Sequence, residues 1–184
     1  IFTRKAQFQY GWDWGPKLNT SGIWKDVYLK SWDDIVLDDV FIAQGMITET
    51  DANLYAQATI TSDVAKEVMI IAKTGESTFQ ESIQLEKGSS DYTIQISIKK
   101  PKLWWPHNLG EPYLYDFQIQ IIDQKKVIDE KKLKHGIRTI QLYAQPDSIG
   151  ESFYFKVNNV PVFMKGANYI PQNSFQNKVS NEHY

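Results

Sequence analysis

Apolar and polar residues alternate along most of this chain, and elsewhere the apolar positions gather in runs of about five to nine residues rich in Ile, Val, Tyr, Phe and Thr. Successive side chains of a strand point to opposite faces, so such runs predict β-strands. They fall at 23–32 (IWKDVYLKSW), 35–44, 52–62, 67–73, 78–85, 92–98, 113–122, 126–136 and 137–144. No convincing amphipathic helix precedes the C-terminus, where Ser180 stands as a candidate helix N-cap in KVSNEHY. Asp33-Asp34 marks a short hinge after the first run, and the composition shifts again at 145–152 (QPDSIGES). Between those points, seven or eight short strands over about 110 residues predict an immunoglobulin-like β-sandwich. The paired cysteines of antibody domains are absent, so the expectation concerns architecture only. Beyond 152, FYFKV and VPVFMKG flank Asn158-Asn159 and predict a hairpin, because asparagine tolerates the positive φ of a tight primed turn.

Composition narrows the function classes. The chain has 184 residues, of which 42% are hydrophobic, enough for a core. A formal net charge of -2 leaves no broad positive field for nucleic acid or an acidic membrane surface. There is no cysteine, which removes disulfides, thiolate metal sites and cysteine nucleophiles. No apolar run approaches the roughly 18 residues of a membrane span, and IFTRKAQFQY lacks the apolar core of a signal peptide. The chain starts without Met and in mid-pattern, which suggests a piece of a longer protein. Richness in Lys, Asn and Gln without cysteine points to a bacterial source, periplasmic or secreted.

Most conspicuous motifs have plain explanations. Trp104 and Trp105, set between prolines in PKLWWPHNLGEPYLY, are expected to cover one end of the sandwich; a sugar-stacking platform is the alternative. KKPK and KKLK suit exposed turns and strand edges, where lysine discourages edge pairing. His107, His135 and His183 are dispersed without metal-site spacing, so no protein-bound metal is expected. Asn19 opens an NTS glycosylation triplet of the kind met by chance. No serine-histidine-acid set or phosphate loop stands out, and Asp33-Asp34 and Asp38-Asp39 read as solvated turn and edge charges. The segment QYGWDWGP, with Trp12, Asp13 and Trp14 between glycines, is either a packed corner or a ligand-binding loop.

Taken in order, QYGWDWGPKLNTSGIWKDVYL, LWWPHNLGEPYLYDF, HGIRTIQL and FKVNNVPVFMKGANYIPQNSF resemble the family 2 glycoside hydrolases. Within that family GWDWGP and KGANYIP are similar to the β-mannosidase branch. The resemblance implies an all-β chain whose sandwich is flanked by the tail of a jelly-roll domain and the truncated start of a (β/α)8 barrel. Residues 1–32 would be the C-terminal part of the sugar-binding-like jelly-roll, 33–144 the sandwich, and 145–184 the hairpin and first strand leading into the barrel.

For the complete enzyme the resemblance implies retaining hydrolysis of terminal β-mannosides through two glutamates, without a cofactor. None of Glu49, Glu76, Glu86, Glu111 or Glu151 sits in a matching motif, so no catalytic residue is expected here and the isolated chain is expected to be inactive. Asp13 is then expected to accept hydrogen bonds from sugar hydroxyls, with Trp12 or Trp14 as an apolar wall. Asn168, at the end of the first barrel strand, is expected to touch the sugar, beside Tyr169. Tyr169 and Asn173 depart from the branch pattern of an aromatic, often tryptophan, followed by an acid. A non-catalytic immunoglobulin-like carbohydrate-binding or adhesion module, and another family 2 glycosidase such as a β-galactosidase or β-glucuronidase, are the alternatives.

Overall fold

The computed structural model describes residues 5–13 and 15–183. They divide into two compact units, 5–30 with 165–183, and Ser31–Met164. The second unit is all β. Its strands are β1 Ile35–Ile47, β2 Asp51–Ser62, β3 Lys66–Thr74, β4 Ser77–Leu85, β5 Gly88–Lys99, β6 Tyr115–Asp123, β7 Lys126–His135, β8 Ile140–Tyr143, β9 Tyr154–Val157 and β10 Val160–Val162. Two antiparallel sheets, in the orders β1-β2-β5 and β4-β3-β6-β7, form an immunoglobulin-like sandwich.

The sandwich follows from alternation. In β2, Ala52, Leu54, Ala56, Ala58 and Ile60 point inward, and across the core they meet Ile70 and Ala72 of β3 and Phe117, Ile119 and Ile121 of β6. Small residues on β2 opposite bulky ones on β6 let the sheets approach closely. At one edge the layers are tied together: the Leu37 amide donates to Asp129 Oδ2 at 2.9 Å, and the Lys131 ammonium donates to the Asp38 carbonyl.

Two expected strands behave differently. The run 137–144 forms a ladder only from Ile140, and β8 pairs with β9 rather than with a sandwich strand, making a separate sheet of order β10-β9-β8. The run 23–32, expected as a strand, forms none, and Leu29 is 97% exposed; its apolar residues are grouped at 23–24, 27–29 and 32, so they do not define a single strand face as those of β2 do. A strand needs a neighbour for its backbone amides and a surface for its apolar face, and 23–32 has no ladder partner among the described residues.

The hairpin turn is as the sequence implies, with φ of +48° at Asn158 and +65° at Asn159. After Ser180 the chain makes a 3-10 turn, Asn181–His183. There the Ser180 hydroxyl lies 2.9 Å from His183 Nδ1. Among the described residues no helix is long and apolar enough to cross a membrane.

Candidate functional site

Gln7–Tyr10 forms a 3-10 turn, closed by the Gly11 amide donating to the Phe8 carbonyl at 3.3 Å. Gly11 then takes φ +113°, and a Cβ there would stand 2.5 Å from Lys17 Cγ, so both backbone and space demand glycine. The chain reverses again at once: the Gly15 amide donates to the Trp12 carbonyl at 3.2 Å, with Asp13 at the corner. A packed corner would cover its tryptophan, but Trp12 is 56% exposed. Trp14 lies outside the described residues.

In the same unit, residues 168–174 form neither helix nor strand and bend at Gln172 and Ser174, and the Asn173 carboxamide oxygen accepts the Phe175 amide at 2.9 Å, an Asx turn. The two segments enclose a concavity of about 380 Å³. Trp12 and Tyr169 both line it, and Tyr169 is 57% exposed. Gln7, Gln9 and Asn173 add carboxamides that donate and accept. With Phe8, three aromatic side chains stand among such groups, a lining that suits a polyhydroxylated ring, whose faces are apolar and whose rim is polar. Asp13 and Asn168 are exposed and are not part of this wall. Gln7 and Gln9 were not singled out from sequence; their spacing in QFQY is the only signal, and it resembles any amphipathic stretch.

Several acids of the sandwich unit are engaged in its own structure. Glu130 accepts from Gln118 Nε2 at 2.6 Å and Gln120 Nε2 at 3.0 Å, and these donors, followed by the Lys132 ammonium, hold its carboxyl at about 2. Glu111 pairs with Lys102 at 2.7 Å, and Asp51 with Lys99. Asp147 takes the Ile149 and Gly150 amides, which hold its carboxyl below the usual range. Among the described residues no cluster of three or more His, Asp or Glu could hold a metal ion.

Trp104 and Trp105 do not form an open platform. The Trp104 ring lies against Gly136, whose Cβ would be 2.9 Å away, and carries the Arg138 guanidinium 4.9 Å from its centroid. Trp105 folds over Gly110 in the same manner, at 2.8 Å.

Comparison with known proteins adds an independent view. A family profile described as "Glycosyl hydrolases family 2" matches residues 35–138, and one described as "Glycosyl hydrolase 2 galactose-binding domain-like" matches residues 1–25. "Beta-mannosidase B" of Aspergillus clavatus is 33% identical over all of this chain, which covers 22% of that protein; the Aspergillus fumigatus protein of the same name is 31% identical, with the same coverage. The chain thus spans about a fifth of the length of the curated relatives it matches. The crystal structure of a beta-D-mannosidase from Dictyoglomus thermophilum is 39% identical, superimposes with a TM-score of 0.91, and covers 100% of this chain and 23% of its own. The exo-chitosanase CsxA of Amycolatopsis orientalis, at 22% identity and TM-score 0.62 over 75% of this chain and 16% of its own, shares the fold.

Proposed function

The chain belongs to glycosyl hydrolases family 2, and on that premise we propose that it is a scaffold segment of a retaining exo-glycosidase that removes terminal β-D-mannose residues. Its residues 1–32 belong to a sugar-binding-like jelly-roll domain, 33–144 to the sandwich, and 145–184 to the start of a (β/α)8 barrel. The observation that carries this reading is the likeness to the Dictyoglomus beta-D-mannosidase along the entire chain. The printed names of the fungal relatives point the same way. The Lys-, Asn- and Gln-rich composition supports a bacterial, exported parent, although these curated relatives are fungal.

In this reading Asp13 accepts hydrogen bonds from the sugar's hydroxyls, while Trp12 or Trp14, and Tyr169, supply apolar faces. Asn168 holds another hydroxyl. Retention needs two carboxyls roughly 5 Å apart across the scissile bond. Glu111 pairs with Lys102 and Glu130 is held by two glutamines, and in this reading the chemistry falls to glutamates outside this chain.

The test is kinetic. In the protein that carries this chain, Asp13→Ala should lower kcat/KM for an aryl β-mannoside by about ten- to a hundredfold, the equivalent of roughly 1 to 3 kcal/mol of lost hydrogen bonding. An unchanged kcat/KM would remove Asp13 from the site, and faster turnover of an aryl β-galactoside or β-glucuronide would replace the mannoside. The 184-residue chain alone should release no chromophore above a buffer blank.

A further inference from the structure

Between β7 and β8 the chain crosses from the sandwich to the three-stranded sheet through Gly136, Ile137, Arg138 and Thr139. None of these four has a ladder partner, although Ile137 is fully buried in the core. Backbone polar groups at such a place need other partners. They find them on three separate elements. The Ile137 carbonyl accepts the Trp104 amide at 2.8 Å, the Arg138 amide donates to Gln44 Oε1 on β1 at 3.0 Å, and the Thr139 amide donates to Asn158 Oδ1 at 2.9 Å.

Asn158 holds this crossing from the hairpin side. Its own amide donates to the Thr139 carbonyl at 2.9 Å, and its carboxamide Nδ2 donates to the Trp104 carbonyl at 3.0 Å. One residue therefore ties together the β9–β10 turn, the start of β8 and the Trp104 loop of the sandwich. Burial does little of this: of the three short strands only Val157 is buried, at 2%, whereas Ile140, Leu142 and Val160 are exposed. With so little apolar area against the core, directional hydrogen bonds set the sheet's orientation.

We propose that Asn158 is a positioning residue, whose carboxamide clasps the β9–β10 hairpin to the sandwich and so orients the strand that runs on into the segment bearing Asn168 and Tyr169. The catalytic consequence rests on the glycosidase reading above; the clasp itself does not. Glycine would serve the turn's φ of +48° at least as well as asparagine, so the turn alone does not account for the side chain. Asn159 provides the contrast, with the same residue type, a φ that is also positive at +65°, and an exposed position.

The test compares Asn158→Gly with Asn159→Gly in the protein that carries this chain. Both keep the turn, but only the first removes the two carboxamide bonds. Asn158→Gly should speed hydrogen exchange of the Thr139 amide and of 160–164 by about tenfold or more, with β2 and β6 amides unchanged. It should lower kcat on an aryl β-mannoside by about tenfold, more than it changes KM, at an unaltered folded fraction. Asn159→Gly should do neither. Asn158→Asp keeps the acceptor for the Thr139 amide and should restore that amide's protection. Equal effects of the two glycine variants, or faster exchange with wild-type kcat, would overturn the positioning role. If the unaltered protein does not cleave β-mannosides, the glycosidase reading fails alone. Exchange at 160–164 then decides the clasp, and equal exchange in both variants defeats it.

Discussion

Residues 23–32 and strand β2 are both apolar runs rich in strand-forming residues, and they meet opposite ends. In β2 every second side chain enters the core, and the strand is laddered on both sides, to β1 and to β5. In 23–32 the apolar residues are grouped at 23–24, 27–29 and 32 rather than placed at every second position, and Ile23, Val27, Tyr28 and Leu29 are exposed. Alternation states which face of a strand wants to be buried, and a neighbouring surface decides whether it is.

The comparison can be broken most forcefully at the core. Phe117→Ala should destabilise the 184-residue chain by about 3 to 5 kcal/mol through lost burial and a residual cavity, whereas Leu29→Ala should stay within about 0.5 kcal/mol. Urea unfolding of the two variants measures both, and a large effect at Leu29 would show that 23–32 is packed in solution. Glycines sharpen the same contrast at a smaller scale. Gly136→Ala places a Cβ 2.9 Å from the Trp104 ring and should cost about 1 to 3 kcal/mol, because ring and backbone must both shift. Gly166→Ala, in the other unit, meets nothing within 4 Å and should be close to neutral in the same unfolding experiment.

The smallest expected effect is on pH. His135 closes β7 opposite Tyr115, its ring edge-on to Phe117 with centroids 6.3 Å apart, and its buried Nε2 has no hydrogen-bond partner. Burial, and secondarily the Arg138 charge, hold the imidazole below its usual 6.5. The folded chain therefore binds fewer protons at this site than the unfolded chain. Its contribution to stability is complete above pH 6.5 and falls as the pH drops from there toward the depressed folded value. His135→Gln should flatten the Tm-against-pH curve in that window, and an unchanged slope would assign it to other groups. Glu130, held at about 2, adds a separate loss only as the pH falls from 4.5 toward that value.

Much of the fold was legible because it depends on local chemistry. The inward sets of β2, β3 and β6 follow from a period of two, and the Asn158-Asn159 turn from the tolerance of asparagine for positive φ. The fate of 137–144 was not legible. Its apolar alternation fits a sandwich strand, but Gln44, Trp104 and Asn158 take its first backbone groups, and β9 takes the rest. The candidate site was legible in part. Trp12 and Tyr169 share one concavity, whereas Gln7 and Gln9 join it through a 3-10 turn that no periodicity announces.

By itself the sequence determined where chain reversals must occur and which face of each strand is apolar, since glycine, asparagine and alternating residues act on their own backbone and immediate neighbours. Its ordered motifs also carried the family. Only the tertiary structure decided which alternating runs become strands, which tryptophans are covered, and that one asparagine of an identical pair ties three elements together. Those outcomes depend on partners remote along the chain, and a hydrogen bond or a packed ring exists only when both partners arrive.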